Sequence, residues 1–206
     1  MRWGRVEVSR GFLLLLAFLY YMDDEGLLLP ALLACALHEG GHWLAARLWG
    51  VRPAAVRLTC AGAELRLSRG RRPGRLGRCA ILLAGPAVNL VLALACARLG
   101  PGCWRFAGLN LSLGLFNLLP VRLLDGGRLV DTLLEGRRRG RRLGDILSLA
   151  LSLCLSLGGL ALMASTGNPT LLLTGSFLLV SQVRDEKKHP FCEKVSCNRG
   201  KAMLKY

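Results

Sequence analysis

Long apolar runs rich in leucine alternate along the chain with short polar stretches. Against the roughly 20 residues that carry a helix across a bilayer, the runs fall near 11–22, 26–49, 78–99, 103–121, 144–165 and 168–183. The pattern predicts an all-α polytopic membrane protein of about six transmembrane helices. The first and last runs are short; the first also fits a re-entrant segment, and Pro169 shortens the helix available to the last. Over 54–68 the period changes: Val56, Leu58 and Cys60 alternate with Arg57 and Thr59, then Leu65 and Leu67 with Glu64 and Arg66, around Gly62. This predicts a small β-hairpin after the second span. A lone hairpin is marginal in water, so it is expected against the membrane surface, either as an edge for an extended peptide or as a plain amphipathic flap. The basic, glycine-rich stretch 69–78 reads as a solvated loop.

Charge orients the spans. Alternating the segments leaves only Arg98 and Arg105, of 28 Lys and Arg, on one side of the membrane. Basic residues are retained on the cytoplasmic side, so both termini are expected there, with the acidic turn Asp23, Asp24 and Glu25 outside. The expected organisation is a transmembrane domain over 1–183 and a short basic cytoplasmic tail over 184–206. The same asymmetry accounts for the net charge of +15 through the lipid bilayer, with no nucleic acid as partner. A hydrophobic content of 52% exceeds what a soluble core of this size needs. Acidic residues rather than a small-residue cleavage site follow the run 11–21, which reads as a retained anchor. Eight scattered cysteines suggest no disulfide framework; the loosely spaced His189, Cys192 and Cys197 read as a solvated tail, with a partial metal site as the alternative.

The strongest local signal is His38-Glu39-Gly40-Gly41-His42. On a helix, i and i+4 place both imidazoles on one face with the carboxylate beside them. Neutral imidazoles suit zinc, and the carboxylate can activate water. Two of only three histidines take this spacing inside an apolar run, where ionisable groups are costly and usually functional; a pair merely bonding across helices is the plainer reading. A catalytic zinc needs a third protein ligand. Asp125, in Leu124-Asp125-Gly126-Gly127, arrives from the side on which the second span ends, and its paired glycines would let the chain turn and present the carboxylate. An Asp-Gly turn or a helix cap explains the same residues without a metal.

At this point the sequence resembles the site-2 proteases, intramembrane zinc metalloproteases, and within them the compact branch that processes a sporulation sigma-factor precursor. Three motifs match in order: His38 to His42; Gly85, Pro86 and Asn89; and Asn117, Pro120, Asp125 and Gly126. The resemblance spans roughly residues 10 to 183. It implies one zinc ion per chain held by His38, His42 and Asp125, with Glu39 as general base. It gives Asn117 a role in positioning substrate, and Asn89 one in supporting the bundle or a substrate backbone. It also implies a membrane-associated hairpin, a membrane-anchored protein substrate, and room for a regulatory membrane partner. Where the family often has proline two residues before the aspartate, this chain has Leu123, preceded by Arg122, which would alter the substrate groove. The competing classes are a membrane metal transporter and an inactive membrane scaffold.

Overall fold

The computed structural model describes residues 2–3, 6–51, 53–59, 62–67, 73–135 and 138–182. The expected tail 184–206, with His189, Cys192 and Cys197, lies outside the described residues, as do 60–61 and 68 of the expected hairpin. The chain divides into two compact units, Met1–Leu119 with Leu124–Leu133, and Pro120–Leu123 with Leu134–Tyr206.

In the first unit, α1 (Arg10–Tyr21) starts where the Ser9 hydroxyl accepts from the Phe12 N–H, 3.1 Å away. Helix α2 (Leu28–Leu48) begins at the acidic turn. There both carboxylate oxygens of Asp23 accept, from Leu27 N at 2.8 Å and Leu28 N at 2.9 Å, filling donors a helix start leaves open. Gly50, at φ 72°, reverses the chain beyond α2. Helix α3 (Arg75–Arg98) packs on both α2 and α4 (Trp104–Asn117), with a 3-10 turn at Pro101–Cys103 between α3 and α4. Close approach here relies on small residues. A Cβ at Gly41 would lie 2.8 Å from the Ala84 carbonyl, and one at Gly114 would lie 3.2 Å from the Asn89 side chain.

Four strands complete the first unit: β1 (Arg2–Trp3), β2 (Val6–Val8), β3 (Pro53–Thr59) and β4 (Gly62–Leu67). The order is β1-β2-β3-β4, with β3 and β4 antiparallel and β2 parallel to β3, Val6 to Val8 facing Val56 to Leu58 in register. The pair β3–β4 is therefore not the lone hairpin expected. The first eight residues, read only as a basic terminus, supply it with a further partner strand.

A short helix, α5 (Asp125–Leu133), replaces the turn expected at Asp125-Gly126-Gly127. Neither glycine is among the described residues with positive φ. Their use is spatial: a Cβ at Gly126 would run into the Leu118 carbonyl at the end of α4. Dropping the side chain lets α5 start against α4, whereas the angles a glycine permits are not used.

The second unit contains α6 (Arg138–Thr166) and α7 (Thr170–Gln182), joined through Gly167 at φ 73°. A helix thus occupies each of the six apolar runs. Among the described residues, two stretches are long and apolar enough to cross a membrane, Arg75–Arg98 and Arg142–Thr166. By contrast α1, at 12 residues, extends about 18 Å.

The distribution of side chains is the reverse of a water-soluble protein's. Ala34, Ala46, Ala93, Asn89, Asn110, Ser148 and Ser152 are buried, while Leu33, Leu94, Leu111, Leu153 and Phe177 are exposed. Small and hydrogen-bonded residues inside with leucines outside is what packing in lipid favours, because the leucines gain nothing by turning inward.

Candidate metal centre

Helix α2 carries His38 and His42 one turn apart, both buried, and their rings meet edge to face with centroids 4.7 Å apart. Asp125, the first residue of α5, brings its Oδ2 to 3.0 Å from Nε2 of each histidine, and the two Nε2 atoms are 3.1 Å apart. Three side chains from two helices therefore converge, two imidazoles from α2 and a carboxylate more than 80 residues on.

The remaining ring nitrogens are held from behind. His42 Nδ1 donates to the Ile81 carbonyl at 2.7 Å. Pro86, inside α3, lacks the N–H that the Leu82 carbonyl would use and loosens this turn beside Ile81. His38 Nδ1 donates to Asn89 Oδ1 at 2.6 Å. An imidazole that donates from Nδ1 offers a bare lone pair at Nε2.

With both imidazoles neutral, these three acceptor atoms at 3.0 to 3.1 Å would repel one another, and a metal cation between them would relieve that. An ion held at about 2.0–2.1 Å by three corners of a tetrahedron separates those corners by about 3.3 Å. The donor set and its spacing thus fit zinc with a fourth position to spare.

Gly85 forms the wall of the site on the α3 side. A Cβ there would overlap His42 Nε2 and come within 2.9 Å of His38 Cε1. The Gly85-Pro86 pair thereby acquires a physical reason: one residue makes room for the imidazoles and the other disturbs the turn that receives His42.

Glu39 follows His38 on α2, half-buried beside the cluster. Asn89 is fully buried and its polar atoms are all engaged, with Nδ2 donating to the Ala34 carbonyl at 3.3 Å and to Asn110 Oδ1 at 2.8 Å. Both polar atoms of the Asn89 amide thus have partners inside the bundle. Asn117, the last residue of α4, donates to the Leu113 carbonyl of its own helix at 3.0 Å. Sequence reasoning missed Asn110. The available signal was an amide inside an apolar run, seven residues and two helical turns before Asn117.

Residues 12–124 match the family described as Peptidase M50B-like, and residues 102–158 match Peptidase family M50. The first match takes in more than half of the chain, and the protein belongs to this family of peptidases. Rip3 of Mycobacterium tuberculosis, a candidate zinc metalloprotease, is 39% identical over 135 residues, covering 57% of this chain and 33% of that protein. Zinc metalloprotease MJ0392 of Methanocaldococcus jannaschii is 30% identical over 108 residues, covering 48% of this chain and 31% of that protein. The chain thus spans about a third of the length of the curated relatives it matches. A solved site-2 protease from Methanocaldococcus jannaschii shares the fold, with a TM-score of 0.66, 22% identity, and coverage of 89% of this chain and 92% of that one. Zinc is the metal of this family, and His38, His42 and Asp125 form a group able to hold it.

Proposed function

We propose that the chain is an intramembrane zinc metalloprotease that hydrolyses a peptide bond in or next to a transmembrane segment of a membrane-anchored protein, freeing a regulatory part of it. The observation that carries this reading is the meeting of Nε2 of His38, Nε2 of His42 and Oδ2 of Asp125 beside Glu39. Zinc bound there would supply a Lewis acid for the scissile carbonyl and lower the pKa of a bound water toward neutrality. Glu39 takes a proton from the attacking water as its oxygen bonds to the carbonyl carbon. When the C–N bond breaks, Glu39 passes that proton to the leaving amine.

A helical substrate shields its carbonyls in its own hydrogen bonds, so the segment to be cut must be extended. β4 ends the sheet order, and its outer edge is unpaired among the described residues. That edge supports a reading in which β3–β4 lies at the membrane and takes the substrate by strand addition, with Asn117 contacting its backbone. The proposed organisation keeps six membrane-crossing helices over 1–183, with both termini and the tail 184–206 in the cytoplasm. A zinc near His38 sits about 14 Å of helix from Arg47, and water reaches it from the cytoplasmic side. The relatives found belong to the wider family, and no sporulation role is proposed.

The test is cleavage of a membrane-anchored substrate by purified Glu39→Gln. Zinc content should match wild type while cleavage falls by roughly 10²- to 10⁴-fold. Undiminished cleavage overturns Glu39 as the base. Zinc flux into proteoliposomes with no proteolysis would make the protein a transporter instead.

A further inference from the structure

Behind His38 stands a chain of buried amides that leads away from the metal cluster to α4. Asn110 is fully buried in the middle of that helix and belongs to none of the three motifs. Its Nδ2 donates to the Phe106 carbonyl at 2.9 Å. A backbone carbonyl can only accept, so this bond fixes the Asn110 amide with Oδ1 turned toward α3. Asn89 Nδ2 donates to that Oδ1 at 2.8 Å and to a second backbone carbonyl, Ala34 O, at 3.3 Å. Asn89 Oδ1 is then left facing His38 Nδ1 at 2.6 Å, and an oxygen with no hydrogen must receive one from the ring.

We infer that Asn110 is a positioning residue for the metal site, acting through Asn89 to make His38 carry its hydrogen on Nδ1 and present a bare Nε2. The inference rests on the metal-site reading above and deepens it. Flipping Asn110 would set NH₂ against NH₂ and oxygen against the Phe106 carbonyl, with Asn89 and Asn110 both fully buried in the bundle. Without the Asn110 acceptor, the Asn89 orientation is held by the 3.3 Å bond to Ala34 alone. The reversed Asn89 amide would offer His38 a donor, and the ring would then place its hydrogen on Nε2, where a metal ligand needs a lone pair. A plain interhelical bond predicts something else: loss of Asn110 would loosen α3 from α4 and leave metal affinity unchanged.

The test compares zinc affinity, by chelator competition on the full chain in detergent, for wild type, Asn110→Leu and Asn110→Asp. Leucine conserves volume and removes the acceptor. Aspartate retains an acceptor oxygen for Asn89. Zinc binding should weaken about tenfold in Asn110→Leu, the low end for groups behind a ligand, and stay close to wild type in Asn110→Asp. Should Asn110→Leu fail to fold, Asn110→Ser, whose hydroxyl falls short of Asn89, takes its place under the same expectation. Unchanged affinity in the acceptor-less variant, or equal losses in it and Asn110→Asp, overturns the inference alone. If His38→Ala binds zinc as wild type does, the metal-site reading falls and the inference falls with it.

Discussion

Two rows of buried polar side chains cross these apolar helices, a serine row on α6 and the histidine and asparagine network of α2, α3 and α4, and they close in different ways. On α6, Ser148 Oγ accepts from the Arg122 N–H at 2.9 Å, Ser152 Oγ accepts from Gln182 Nε2 at 2.6 Å, and Ser156 Oγ donates to the Ser152 carbonyl at 2.9 Å. Each hydroxyl is matched, and the row serves to pack: a Cβ at Gly175 of α7 would lie 2.6 Å from Ser156 N. The other network is equally matched from Phe106 to His38 Nδ1, but it ends in three acceptors that face one another. Burial of polar atoms is common to both. What separates a candidate site from internal packing is that, with neutral imidazoles, three lone pairs are left facing one another in a place that suits a metal cation.

That contrast can be broken by experiment. The largest effect is expected for Asp125→Ala, which removes one of the three facing acceptors. Zinc should be lost by more than the roughly 10- to 100-fold typical of losing a group behind a ligand, and cleavage should fall to background. Metal analysis after dialysis checks this, and wild-type zinc content would remove Asp125 from the site. Gly85→Ala comes next. It keeps every ligand but thrusts a methyl at both imidazoles, and overpacking of about 1–3 kcal/mol corresponds to roughly 5- to 150-fold weaker zinc binding. Gly40→Ala, where a Cβ meets nothing within 4 Å, is the control and should bind zinc normally. The smallest effect belongs to Ser152→Ala, which strips Gln182 of its partner. Thermal unfolding should show a loss of about 1 kcal/mol with zinc content untouched; a change in zinc content there would erase the distinction between the two rows.

The helix that carries the candidate site was legible because two histidines four residues apart inside an apolar run have few inexpensive explanations. Asp125 was legible less directly, since nothing in Leu124-Asp125-Gly126-Gly127 alone separates a ligand from a turn; the order of three motifs singled it out. The same glycines misled on local structure. Paired glycines imply unusual backbone angles in most contexts, whereas here Gly126 is helical and answers a collision with Leu118, a contact that only the folded chain reveals. Asn110 was passed over because one amide in a leucine-rich helix has no spacing rule to betray it. The two strands before α1 are too short to show a period, and the strand that β2 joins lies about 50 residues away.

That remote pairing has a practical side. With Val6 to Val8 bonded alongside β3, a fusion tag or truncation that disturbs the first eight residues would strip two of four strands from the sheet and leave β3 with β4 alone. Affinity handles or fluorescent reporters grafted ahead of Arg2 would therefore perturb the segment proposed to grip substrate, and impaired turnover in such preparations would be an artefact of labelling.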